Sequence, residues 1–148
     1  MISLFSGAGG LDIGLVKTGF SNRLCVEIDE DAKKTIRTNH PEWNIAEPGD
    51  IHQISPDEIL SLAKLKPKEL TLLAGGPPCQ PFSQSGYWAK GDSARLNDPR
   101  SDTLAAYLKV VKVALPEILL LENVKGINFK KKNEGMEFLL DGLRDINQ

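Results

Sequence analysis

Short apolar runs alternate with longer amphipathic stretches along the whole chain. Four runs are apolar nearly throughout: "MISLF" at the start, then "LCVEI", "LTLLA" and "EILLLE". Runs this short without polar alternation predict strands buried on both faces. The stretches between them predict helices. "LDIGLVKTG" closes on Gly19, a residue suited to a helix C-terminus. "DEDAKKTIRTNH" has acids in its first turn and is stopped by Pro41. "SPDEILSLAKL" opens with Ser55 as N-cap, Pro56 at the first helical position and Glu58 where a capping box needs it. "TLAAYLKVVKVAL" and "EGMEFLLDGLRDI" predict two further helices. Apolar strands separated by helices predict a Rossmann-like α/β fold, a mostly parallel sheet with helices on both faces.

Composition changes this picture little. The 148 residues suit one domain, with 41% hydrophobic and 26% charged residues and a formal net charge of -2. No overall basic surface points to nucleic acid, so such contacts must be local or come from chain beyond these residues. No apolar run approaches the roughly 18 residues of a membrane span, and the N-terminus lacks a secretory pattern, so a cytoplasmic protein without a membrane partner is expected. Two cysteines and two histidines show no short metal-type spacing, and no metal is expected.

In open parallel sheets ligands bind at the carboxyl ends of the strands, where crossover loops and helix N-termini gather. "MISLF" delivers Phe5 and, in the turn after it, Gly7, Gly9 and Gly10; "LCVEI" delivers Glu27. "LTLLA" leads to Cys79 in "GGPPCQPFSQSG", and "EILLLE" to Glu122 and Asn123. A glycine turn lets a small molecule touch the backbone, and an acid ending the second strand is the usual partner of ribose hydroxyls. The turn is shorter than the dinucleotide pattern G-x-G-x-x-G, which favours a nucleoside cofactor without a pyrophosphate, such as S-adenosylmethionine. Cys25 lies within an apolar strand and reads as an inert core thiol. Cys79, in a Gly/Pro loop at the ligand edge, reads as a nucleophile. Glu122 closes an apolar strand, where a carboxylate is either paired structurally or partly buried with a raised pKa that lets it donate a proton.

These residues, in this order, resemble the N-terminal part of the cytosine-C5 DNA methyltransferase family. "LFSGAGGLDIGL" is similar to its cofactor motif, "GGPPCQPFSQSG" to its Pro-Cys motif, "DPRSDTL" to the segment that follows, and "ENVKG" to its Glu-Asn-Val motif. The resemblance implies an S-adenosylmethionine site made by Phe5, Ser6, Gly7, Gly9, Gly10, Glu27, Ile28, Asp50, Ile51, Pro78 and Leu104, with S-adenosylhomocysteine as product. Phe5 would stack near the adenine, Glu27 would bind the ribose, and Asp50 and Ile51 would meet the adenine edge. It implies Cys79 as the nucleophile that adds to cytosine C6, Glu122 as the acid at N3 and Asn123 as support. Gln80, Ser83 and Ser85 would contact the flipped base or the DNA backbone. Ser3 stands where many members carry Asp, and Ile28 where some carry an aromatic residue.

The resemblance also implies that residues 1–148 are the N-terminal part of a catalytic domain. The family's Gln-x-Arg-x-Arg segment, its target-recognition domain and its C-terminal motif have no counterpart among these residues. An apolar strand such as "EILLLE" at the sheet edge then needs a cover, from a complementing C-terminal half or subunit or from self-association. The resemblance thus implies DNA as a partner, with most contacts made by those further segments, and a fragment that is inactive alone. The alternatives are an RNA (tRNA) cytosine-C5 methyltransferase on the same scaffold and a non-catalytic fragment needing a complementing chain.

Overall fold

The computed structural model describes residues 1–77, 102–122 and 134–146. Four parallel strands form one sheet in the order β2-β1-β3-β4, with β1 Ile2–Leu4, β2 Leu24–Val26, β3 Leu72–Gly75 and β4 Ile118–Leu121. The helices are α1 Gly10–Lys17, α2 Glu30–Asn39, α3 Pro56–Ala63, α4 Asp102–Ala114 and α5 Glu134–Ile146. From β1 the chain crosses to one side and from β3 to the other, so the strand order reverses between β1 and β3. Such a switch point opens a crevice at the carboxyl edge.

The α3 start forms as its residue types dictate. The Ser55 hydroxyl accepts from Glu58 N–H at 3.2 Å, and Glu58 Oε2 accepts from Ser55 N–H at 2.8 Å, which closes the capping box. At α1, Thr18 is the C-cap and Gly19 follows it with φ +103. Strands alternate their side chains between faces. Ile2, Leu4, Leu24, Val26 and Leu73 therefore share one face and pack against Ile59, Leu60, Tyr107, Val110 and Leu139 of α3, α4 and α5. Ser3 and Cys25 point to the other face, toward α1.

Two expectations need correction. "LCVEI" is a strand only to Val26, because Glu27 turns its carboxylate to backbone N–H groups outside the ladder. "EILLLE" is not buried on both faces: Leu119 and Leu121 pack on the core, whereas Ile118 is 50% and Leu120 36% exposed. On that face of β4 no described helix lies over them. Among the described residues no helix is long and apolar enough to cross a membrane.

Candidate cofactor cleft and active-site edge

Strand register puts the chemistry in one row. Leu4 is opposite both Val26 and Gly75, and Gly75 is opposite Leu121. The next residues, Phe5, Glu27, Gly76 and Glu122, therefore leave the sheet side by side at its carboxyl edge. Phe5 leaves with φ +57, a left-handed conformation that costs a non-glycine residue about 1–2 kcal/mol and concentrates at functional turns. It swings the chain from β1 into the glycine turn.

Glu27 ties that turn to the second crossover. Its Oε2 accepts from Gly7 N–H at 2.6 Å and its Oε1 from Asp29 N–H at 2.8 Å. Each oxygen keeps a further lone pair for a ligand hydroxyl. A third segment closes in through Gly49, where a Cβ would lie 1.7 Å from the Glu27 carbonyl oxygen. Only glycine permits that approach. The loop carrying Gly49 is clasped to α2: the buried Lys33 ammonium pairs with Glu30 and, at 2.9 Å, with Glu47, which Arg37 also contacts. Glu30 and Glu47 beside Lys33 raise its pKa, and Lys33 in turn holds Glu47 below the usual carboxylate range.

Between these segments lies a cleft of about 200 Å³, lined by Phe5, Val26, Ile28, Gly49, Asp50, Ile51, His52 and Thr103. That is less than the roughly 300 Å³ of a site for a whole drug-sized ligand, and it suits one ring system. Its walls are an aromatic ring and aliphatic side chains, with one acid at the margin. Asp50 Oδ1 accepts from His52 N–H and Oδ2 from Gln53 Nε2, each at 2.9 Å, so the carboxylate is oriented and still has lone pairs to offer. An apolar slot with an oriented acceptor fits a purine carrying an amino group.

The structure thus brings together Phe5, Ile28, Asp50 and Ile51, with Ser6, Gly7, Gly9, Gly10 and Glu27 beside them in the turn and at the strand end. Ile28 is 65% exposed and stands at the mouth. Leu104 is 4% exposed, and its neighbour Thr103 lines the cleft. The α4 helix starts at Asp102, and its first turn sets Thr103 against the cleft. Gly49, His52 and Thr103 were missed by the sequence reading. The close approach at Gly49 left only a glycine as its signal, and Thr103 lay one position from the expected residue.

Glu122 follows β4, with its N–H donating to the Gly75 carbonyl at 2.9 Å, and its Oε2 would lie 3.2 Å from a Cβ on Gly76. The acid therefore stands at the root of the loop that leads to Cys79. It is exposed at the end of the last strand of the sheet, and nothing described packs beyond it. Pro78, Cys79, Gln80, Ser83, Ser85 and Asn123 lie outside the described residues.

Beneath the glycine turn is a buried polar cluster. Asp12, the buried residue of α1, accepts from the Ser3 hydroxyl at 3.0 Å, Asn22 Nδ2 at 2.9 Å and the Cys25 thiol at 3.8 Å. Burial raises the Asp12 pKa against the opposing pull of these donors. Burial, with the Asp12 charge added, pushes the Cys25 thiol up to about 12, so it stays a protonated, inert sulfur.

A four-stranded parallel sheet with a cleft beside its switch point, a glycine turn held by an acid and a second acid at the far strand defines a Rossmann-like α/β fold. Comparison with known proteins narrows the class. The family description "C-5 cytosine-specific DNA methylase" matches residues 1–147. The Type II methyltransferase M.AquIA of Picosynechococcus sp. is 42% identical over 140 residues, covering 95% of this chain and 54% of that protein. M.SacI of Streptomyces achromogenes is 39% identical over 157 residues, covering 98% of this chain and 40% of its own length. A crystal structure of an Escherichia coli prophage protein assigned as a DNA modification methyltransferase superposes with a TM-score of 0.75 at 28% identity, covering 97% of this chain and 37% of the other. The chain belongs to the C-5 cytosine-specific DNA methylase family. It spans about half, or less, of the length of these relatives.

Proposed function

We propose that the chain is the N-terminal, cofactor- and nucleophile-bearing part of a DNA (cytosine-5-)-methyltransferase of restriction-modification type. The observation that carries this reading is the single row of Phe5, Glu27, Gly76 and Glu122, with the purine-sized cleft at one end and an acid beside the Pro-Cys loop at the other. S-adenosylmethionine, when bound, supplies an electrophilic methyl group. The chain's residues do the rest. Phe5, Ile51 and Asp50 take the adenine, and the free lone pairs of Glu27 take ribose hydroxyls. Cys79, as thiolate, adds to C6 of a cytosine flipped out of the duplex while Glu122 gives its proton to N3. The electrons displaced from the C5–C6 bond make C5 nucleophilic enough to accept the methyl. Loss of the C5 proton, departure of the thiolate and return of the N3 proton to Glu122 restore the aromatic base and the enzyme.

DNA is the proposed substrate partner. The exposed Ile118 and Leu120 of β4 favour a further segment packed there, from the same polypeptide or from a complementing chain, with self-association as the other way to cover that face. Turnover by the 148-residue chain is expected only once that face is covered. The test is transfer of labelled methyl to duplex DNA with a relative's C-terminal half supplied in trans. Label at cytosine C5, lost in Cys79→Ser, supports the reading; label in transfer RNA alone refutes the DNA assignment.

Thr103 gives a prediction within the cleft. Thr103 is 6% exposed and lines the cleft. Thr103→Val keeps the shape and removes the donor, so it is expected to weaken S-adenosylhomocysteine binding about fivefold, the worth of one neutral hydrogen bond, with an unchanged melting temperature. Unchanged affinity in a calorimetric titration would show that the hydroxyl does not reach the ligand.

A further inference from the structure

The glycine turn is held at Gly7 by Glu27, and its other end rests on a residue that takes no part in the cleft. Pro41 ends α2, and the chain folds back so that Trp43 N–H donates to the His40 carbonyl at 3.0 Å. The His40 and Trp43 rings stack with centroids 4.0 Å apart and planes 11° apart, and His40 Nδ1 lies 3.2 Å from Glu42 Oε1. The free edge of the indole meets Gly9, where a Cβ would lie 3.2 Å from Trp43 Cζ3 and 3.6 Å from Ile36 Cγ1. Gly9 is the N-cap of α1, has φ +84, and offers no side chain to fix its own position. Glycine has the widest backbone freedom of any residue, so the shape of a turn built on it depends on what touches it from outside. Here that contact is the stacked indole.

We propose that Trp43 is a positioning residue for the cofactor: clamped by His40, its ring braces Gly9 and fixes the Gly7–Gly10 turn in the shape that receives the methionine portion of S-adenosylmethionine. The inference rests on the cofactor reading given above. It makes Trp43 act through preorganisation, so its removal raises the conformational cost of binding without removing a ligand contact.

The test is calorimetric titration of the 148-residue chain with S-adenosylhomocysteine, alongside thermal melts. Trp43→Leu is expected to weaken binding about five- to tenfold, His40→Ala about threefold, and Trp43→Phe, which restores an aromatic brace, less than about twofold. In a Trp88→Phe background Trp43 is the sole tryptophan, and its emission is expected to shift on saturation with the ligand. Wild-type binding that Trp43→Leu leaves intact, or Trp43 emission unchanged at saturation, overturns the brace while the cofactor reading stands. No binding by the wild-type chain overturns both.

Discussion

Replacing Gly49 by alanine is expected to lower the melting temperature by about 10 °C and to abolish measurable S-adenosylhomocysteine binding. The added Cβ would sit 1.7 Å from the Glu27 carbonyl oxygen and 2.6 Å from its carbon. Both are backbone atoms, so no rotamer change relieves the clash, and the loop must separate from the end of β2. Overpacking typically costs about 1–3 kcal/mol, and a rigid backbone neighbour places this case at the upper end. For a chain of this size about 3 kcal/mol corresponds to the stated shift. The function suffers with the fold because Gly49, Asp50 and Ile51 form one wall of the cleft and Phe5 and Ile28 others. Differential scanning fluorimetry and calorimetric titration read the two effects; a Gly49→Ala protein that melts and binds like the wild type would show that the close approach does not exist.

A loss of similar size is expected from Asp12→Ala, by a different mechanism. The carboxylate is the shared acceptor for the Ser3 hydroxyl, the Asn22 amide and the Cys25 thiol. Removing Asp12 strands the buried Ser3 hydroxyl and Cys25 thiol and leaves Asn22 Nδ2 with the Cys25 sulfur, 3.2 Å away, as its acceptor. At about 1–3 kcal/mol per stranded group the expected cost is about 3 kcal/mol. Asp12→Asn keeps an acceptor and should cost about 1 kcal/mol. The pair also has a pH signature. Burial raises the Asp12 pKa from its ordinary value of 3.8, so the folded state holds the proton more tightly than the unfolded state. The stabilisation from that proton is complete below 3.8 and is lost as the pH rises through the folded pKa. Asp12→Asn cannot titrate there, so the gap between wild type and variant should narrow as the pH rises above 3.8. Chemical denaturation across that range checks it; a gap that widens with pH would mean that the donors outweigh burial.

Asp12 also shows why some of the site was legible and some was not. The strand-turn-helix signals are local, and "MISLF", the glycine turn and the Ser55–Glu58 capping box occur where those residues imply. The edge itself was legible for the same reason: parallel strands of similar length end together, which aligns Phe5, Glu27 and Glu122. What sequence could not give was contact between distant segments. Nothing in "EPGDI" says that Gly49 presses on the Glu27 carbonyl, and nothing in "HPEW" says that Trp43 folds back onto Gly9. Thr103 and Leu104 adjoin in the first turn of α4, and on a helix one residue is a rotation of about 100°, so the sequence alone does not say which of the two side chains faces the cleft. Ser3 is the converse case. It departs from the family pattern, and its hydroxyl donates to Asp12 on the face where a second carboxylate would meet like charge.

The most direct measurement is mass spectrometry of the chain incubated with duplex DNA containing 5-fluorocytosine, S-adenosylmethionine and a complementing C-terminal half. Fluorine at C5 cannot leave as a proton does, so the thiolate cannot be released. The account predicts an oligonucleotide joined to the peptide containing Cys79, methylated at C5 and absent in Cys79→Ser. A link to Cys25, or no link under conditions where the two halves bind each other and the DNA, would contradict it.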